Sequence, residues 1–336
     1  MNKTTLPQLD LSAFHAGGEQ RAAFLRELKT AAREVGFFYL KGHGVSDSLQ
    51  QQVLDISRQF FALPAAAKQR VAMVNSPHFR GYTRAGGELT LGQADWREQF
   101  DVMRETPLRK LHYGEQPWLR LHGPNQWPAE LPQMRDIILR WQDSLTEVTT
   151  TLLRAFAIAL EQADDVFDHT IADGPFQHLK LIRYPGRDHT DSEQGVGAHK
   201  DAGYLTLVLQ GDQPGLEVLL GDEWVLATPV EGTFVVNIGE LLELASNGYL
   251  KATLHRVVTP PAGVDRLSSA FFMAAQLDAN VPLLTLPAHL AAEARGPASD
   301  PHNPLFYQVG RNVLKGRLRS HVDVANAHYG ELEPAL

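Results

Sequence analysis

The stretch that decides the fold opens Gly195-Val196-Gly197-Ala198-His199-Lys200-Asp201. It continues through Thr253-Leu254-His255-Arg256-Val257-Val258 to Arg266-Leu267-Ser268-Ser269-Ala270-Phe271-Phe272. Two imidazoles and one carboxylate can occupy one face of an octahedral metal and leave the opposite face open, which suits a non-haem Fe(II) centre that activates O₂. On one strand, His199 and Asp201 would project to the same side, because strand side chains repeat every second residue. His255 would then arrive from a distant strand that closes over the same site. The chain has 14 histidines, so one alone would read as a packed or surface residue; His199, Asp201 and His255 gain meaning as a set.

That set is followed in order by Arg266-x-Ser268 and preceded, between its parts, by Asn237-Ile238-Gly239-Glu240. In this order it resembles the isopenicillin-N-synthase-like branch of the Fe(II)/2-oxoglutarate dioxygenases, and the resemblance runs over almost the whole chain. It implies a double-stranded β-helix (jelly roll) with helices outside it.

Composition fits an ordinary globular protein of 336 residues, 43% hydrophobic and 21% charged, long enough for a large core. The net charge of −8 with mixed signs gives no basic footprint for nucleic acid. Absence of cysteine excludes disulfides, Cys-ligated clusters and thiol catalysis. The opening Met1-Asn2-Lys3-Thr4-Thr5-Leu6-Pro7 has no apolar signal segment, and no run is long enough to span a bilayer. These features predict one cytoplasmic domain over 1–336, with a helical and strand region at 1–130 and a metal-binding core at 175–280. They predict a small-molecule substrate and no membrane partner, and leave the oligomeric state open.

Helical spacing of Phe24, Leu25, Leu28, Ala31 and Ala32 predicts a helix from Glu19 to Val35, stopped by Gly36. A strand through Phe37–Leu40 then runs into Gly42-His43-Gly44; the resemblance implies that this segment is a fold marker, so His43 is assigned no chemistry. Ser46 caps a second helix. The longest helix begins near Pro132 and aligns Ile137, Trp141, Leu145, Val148, Leu152, Phe156 and Leu160, a core stripe that supports a sheet. From His178 onward short β-rich segments alternate with turns, including a hairpin about Gly221-Asp222. The fold class is α+β with a mainly β core, a jelly roll beneath an N-terminal helical layer and a long supporting helix.

The resemblance implies Fe(II), with 2-oxoglutarate and O₂ as cosubstrates. 2-Oxoglutarate would lose CO₂ to give succinate while a bound substrate is oxidised, by default hydroxylated. Its far carboxylate needs a fixed cation, and Arg266 offers a planar fork with the Ser268 hydroxyl beside it. Tyr184, before Pro185, matches the family tyrosine that touches the cosubstrate. Ile182 and Arg183 stand where relatives carry Asn and Tyr. Lys180 shares the parity of Ile182 and Tyr184 and is a further candidate anion ligand. Two alternatives remain open on these residues: an iron oxidase that does not use 2-oxoglutarate, and a non-catalytic jelly-roll binding protein. A zinc hydrolase fits less well, because zinc favours sets richer in His or Cys.

The segment Gly86-Gly87-Glu88-Leu89-Thr90-Leu91-Gly92, closing at Asp95, resembles a loop of the ethylene-forming and homoarginine-hydroxylating members. The resemblance implies that Glu88 and Thr90 hold a guanidinium and that Arg319 holds a carboxylate, as a cationic amino acid requires. Ala202, after the Asp of the triad, departs from the ethylene-forming type, which has an aromatic residue there.

Overall fold

The computed structural model describes residues 5–108, 115–298 and 303–330; the leading Met1–Thr4, part of the segment read above for a signal, lie outside them. In chain order the strands are β1 (Gln8–Asp10), β2 (Phe37–Lys41), β3 (Gly81–Thr83), β4 (Leu89–Thr90), β5 (Gln93–Ala94) and β6 (Glu98–Met103). There follow β7 (Phe176–Tyr184), β8 (Gln194–His199), β9 (Leu205–Gln210), β10 (Leu216–Leu220) and β11 (Glu223–Leu226). The last are β12 (Phe234–Ile238), β13 (His255–Val258) and β14 (Arg266–Ala274).

Two sheets face each other. The larger has eight strands in the order β1-β2-β12-β9-β14-β7-β6-β3, and the smaller has four, β11-β10-β13-β8. Apolar side chains between the sheets, among them Ile182, Val196, Val218, Val235 and Val257, form one core. A second core lies on the other face of the large sheet, where Leu179, Leu181, Leu207 and Phe271 meet the helices. Because side chains alternate along a strand, each central strand feeds both cores, which is why β7 reads as an almost unbroken buried run. This is the jelly roll, with one difference in how it is assembled. The N-terminal region contributes four strands of the large sheet, β1, β2, β3 and β6, besides its helices.

The helices follow their sequence signals. The helix Gly18–Glu34 ends before Gly36, whose φ of 75° is the left-handed conformation a helix stop requires. The helix Asp47–Phe61 is capped by Ser46, whose hydroxyl accepts from the Leu49 N–H. The long helix Met134–Ala159 buries Trp141, Leu145, Leu152 and Phe156 against the large sheet. Its Trp141 indole N–H donates to the Ser269 hydroxyl of β14 at 3.0 Å, tying helix to sheet. The imidazole of His43 stacks on Phe234 at 4.0 Å, a packing role.

Two expectations about strand extent change. Strand β8 stops at His199, so Asp201 lies beyond it, just before the bend at 202–204, rather than on the same strand. Similarly, the β-rich run from Lys251 to Val258 predicts a strand over that whole span, but β13 begins only at His255 and residues 251–254 carry no strand structure.

Candidate metal centre and active site

His199 and His255 are a directly opposed pair on the antiparallel strands β8 and β13. Such pairing brings side chains on one face within contact distance, and their rings lie 4.3 Å apart between centroids. Asp201 Oδ1 sits 3.4 Å from His199 Nε2 and 3.6 Å from His255 Nε2. One ligand atom from each residue lies within 4.8 Å of the others, the dimension of a single cation site.

Hydrogen bonding fixes which atoms face that site. The Nδ1 of His199 meets the Gly197 carbonyl at 2.8 Å, and the Nδ1 of His255 meets the Thr253 carbonyl at 3.1 Å. A carbonyl only accepts, so each Nδ1 carries the proton and each Nε2 presents a lone pair. Asp201 Oδ2 accepts from the Thr206 hydroxyl at 2.6 Å and from the Asn237 amide at 2.8 Å, which leaves Oδ1 for the metal. Burial alone would raise the Asp201 carboxyl, but His255 and His199 in their protonated forms outweigh it and hold it well below the usual range, a role that a cation held by the neutral rings would take over. Neutral imidazoles and an anchored carboxylate fit Fe(II) in type, number and orientation. Asn237 lies in the Asn237-Ile238-Gly239-Glu240 segment quoted from the sequence, though with no role assigned to it, whereas Thr206 carries no motif signal and only the inward parity of β9 could have pointed to it.

Beyond the triad the barrel interior holds the residues named for the cosubstrate. Arg266 and Tyr184 are paired across β14 and β7, with Ser268 opposite Ile182 on the same face. Arg266 is 1% exposed and its guanidinium lies 5.0 Å from the Tyr184 ring centre. It donates to Gln210 Oε1 at 2.9 Å, while its Nε has no partner and no carboxylate of the described residues pairs with it. A buried cation without an anion is costly, so this pocket is complementary to a carboxylate that arrives with a ligand. Gln210 was not singled out in the sequence; it lies in register with Ser268, and its own amide is fixed on the Ala227 carbonyl. Ile182 joins the inter-sheet core, whereas Arg183 points outward and pairs with Glu98 and Asp265.

Lys180 has the expected inward parity but a different partner. Its ammonium bonds both Glu88 oxygens at 2.9 and 3.0 Å and lies 3.4 Å from Asp101, so its charge is used within the protein. Glu88 is 5% exposed and also accepts from Arg97 at 2.6 Å. Burial would raise its carboxyl, but Arg97, Lys180 and His321 hold it well below the usual range. The Thr90 hydroxyl donates to Asp95 at 2.8 Å. Gly197 is needed here because a Cβ would stand 2.8 Å from Thr90 Cγ2. The segment around Glu88 therefore packs directly on the strand that ends in His199.

Arg319 is placed elsewhere. It is exposed and donates to the Asn303 side chain at 2.9 Å. Two residues along a helix is about 200° of rotation, and it is Arg317 of the helix Val309–Ser320 that turns inward, 3.5 Å from Asp101. Ala202 is exposed and adds nothing to the pocket wall. Arg97, Asp101, His178, Arg317 and His321 were not singled out from the sequence. Their signal was weak, a run of mixed charge entering β6 and an ordinary basic helix.

Fold and triad together define a non-haem iron oxygenase of the double-stranded β-helix class. Residues 6–130 match the family of non-haem dioxygenase N-terminal regions described from morphine synthesis, and residues 175–275 match the 2OG-Fe(II) oxygenase superfamily. Homoarginine-6-hydroxylases resemble it along the chain. The rice protein is 41% identical over 76% of this chain and 78% of its own length. One from Arabidopsis thaliana is 37% identical over 77% and 79%. Among solved structures, a 2OG-Fe(II) oxygenase family protein from Caulobacter crescentus superposes with a TM-score of 0.75 at 30% identity, over 94% of this chain and 99% of that one. The chain belongs to the 2OG-Fe(II) oxygenase superfamily. It is a 2-oxoglutarate-dependent non-haem Fe(II) dioxygenase acting on a small molecule, which sets aside the cosubstrate-independent oxidase and the non-catalytic binding protein.

Proposed function

We propose that this enzyme hydroxylates a free cationic amino acid of the arginine and homoarginine class. The observation that carries the reading is the 37–41% identity to homoarginine-6-hydroxylases over three quarters of the chain. The pocket supports it, since Asp101 is a buried carboxylate with one oxygen left without a partner. In this reading His199, Asp201 and His255 hold Fe(II), and Arg266, Ser268 and Tyr184 receive the far carboxylate of 2-oxoglutarate. Glu88 and Thr90, read from sequence as the guanidinium contacts, border that end of the substrate rather than bind it, because Lys180, Arg97 and Asp95 already engage them, and Arg317 takes the carboxylate role read from sequence for Arg319. Lys180 acts indirectly, by keeping Glu88 ionised.

The bound metal and cosubstrate supply oxidising power, as 2-oxoglutarate and O₂ give succinate, CO₂ and one oxygen atom inserted into a substrate C–H bond. The chain's own part is positioning. Asn237 and Thr206 fix the Asp201 carboxylate, and Arg266 sets the reach of the cosubstrate. The charged pocket around Glu88 orients the substrate. The mixed-sign net charge of −8 fits an enzyme without a nucleic-acid partner, and no helix of the described residues is long and apolar enough to cross a membrane; we place the enzyme in the cytoplasm as part of this proposal.

The test is succinate release by the Fe(II)-loaded protein with homoarginine, arginine, lysine and neutral amino acids, with a product heavier by one oxygen atom. Arg266→Lys keeps the charge but loses the fork, so KM for 2-oxoglutarate should rise about 10-fold or more while iron content stays unchanged. Turnover stimulated only by uncharged substrates would overturn the substrate class.

A further inference from the structure

We propose that Asp101, backed by Gln99, binds the α-ammonium group of the substrate, so that the enzyme reads the amino-acid head group and not only its cationic tail. This rests on the substrate class given above and names a contact the sequence did not suggest.

The argument starts from which carboxylate oxygens remain open. Glu88 is occupied on both oxygens by Lys180 and Arg97. Asp95 is occupied by Thr90 on one oxygen and by Gln194 and the Gly197 N–H on the other. Glu98 accepts from Lys68 and Tyr82 on one oxygen and from Arg183 on the other. Asp101 differs. Its Oδ1 meets His178 Nε2 at 2.5 Å, but Oδ2 has no hydrogen-bond partner although the side chain is fully buried. Gln99, two residues earlier on the same face of β6, is 0% exposed and neither atom of its amide is partnered. Buried polar atoms without partners are rare and costly, and three on one strand face mark a place that a ligand completes.

The neighbour decides what kind of ligand. Arg317 reaches 3.5 Å from Asp101 Oδ1, and its Nη1 has no hydrogen-bond partner. An open acceptor therefore stands beside an open donor. An α-amino acid carries ammonium and carboxylate on one carbon, a spacing that satisfies both at once. A guanidinium at Asp101 would face Arg317 with like charge and bring no adjacent anion to answer it, whereas the α-carboxylate beside the ammonium does. Lys180 and His178 hold Asp101 ionised on its other side, so it meets the ammonium as an anion.

The experiment compares homoarginine with 6-guanidinohexanoate, the same acid without the α-amino group, on the Fe(II)-loaded enzyme with saturating 2-oxoglutarate. Wild type should favour homoarginine in kcat/KM by about 100-fold or more, because a site built around a hydrogen-bonding group rejects a ligand lacking it. In Asp101→Asn that ratio should collapse to within about threefold of unity, with iron content and 2-oxoglutarate affinity retained. Equal use of the two acids by wild type overturns this assignment alone, as does an Asp101→Asn enzyme that keeps the wild-type ratio. If neither acid supports turnover by wild type, the substrate class falls and this assignment with it. The wild-type comparison stands even if the variant fails to fold.

Discussion

At the scale of single residues, the metal site depends on atoms that do not touch the metal. Asp201 can offer Oδ1 because Thr206 and Asn237 hold Oδ2 at 2.6 and 2.8 Å. Outer partners of this kind are worth about 10–100-fold in metal affinity. Thr206→Val and Asn237→Ala should each weaken Fe(II) binding by that order in an anaerobic titration, while His199→Ala should abolish stoichiometric binding. Unchanged affinity in both outer variants would mean that the carboxylate is oriented by the backbone alone. The convergence of the triad was legible in sequence, but its parity argument was only half right. His199 ends β8 and Asp201 follows outside any strand, just before a bend at 202–204, where two side-chain donors, not strand periodicity, aim the carboxylate.

At the scale of elements, the hairpin of β4 and β5 is a small sheet separate from the two main ones. Asp95, fully buried, fastens it to β8 by accepting from Thr90, Gln194 and the Gly197 N–H. Asp95→Ala would leave three donors unanswered and free the loop that carries Glu88. KM for the amino-acid substrate should rise about 10-fold, and limited proteolysis within residues 84–95 should quicken, with KM for 2-oxoglutarate little changed. A rise confined to the 2-oxoglutarate KM would show that the hairpin serves the other end of the pocket. The resemblance located this loop, yet nothing local in it announced that Asp95 spans two elements distant in sequence.

At the scale of the whole molecule, the barrel encloses an ionic network of Glu88, Arg97, Asp101, His178, Lys180 and Arg317. Burial, with Arg317 and Lys180 adding to it, lowers the His178 pKa to about 3 against the opposing pull of Asp101. The ring is therefore neutral when folded but takes a proton when unfolded below about 6.5. Between these values the unfolded chain binds more protons, so stability rises with pH; the contribution is complete above about 6.5 and is lost as pH falls toward 3. From pH 6.5 to 5 this one group should cost about 2 kcal/mol. Urea unfolding at pH 7 and pH 5 should show His178→Gln losing less stability than wild type over that interval. Equal losses would mean that His178 titrates normally in the folded state.

The jelly-roll class and the three residues that lie together at one possible cation site were legible in the sequence, through alternation along the strands and through the resemblance carried by His199-x-Asp201, His255 and Arg266-x-Ser268. Alternation sets strand faces, glycine and serine set helix ends, and a two-residue repeat puts Arg266 and Ser268 on one side of β14. Which charges are spent and which are open was decided only by the tertiary structure. Lys180 looked free until the fold set it against Glu88, and Arg319 looked inward until the helix turned Arg317 to the pocket instead. The reason is physical: a buried charge is defined by its partner, and these partners come from β4, β6, β7 and a C-terminal helix that only packing brings together.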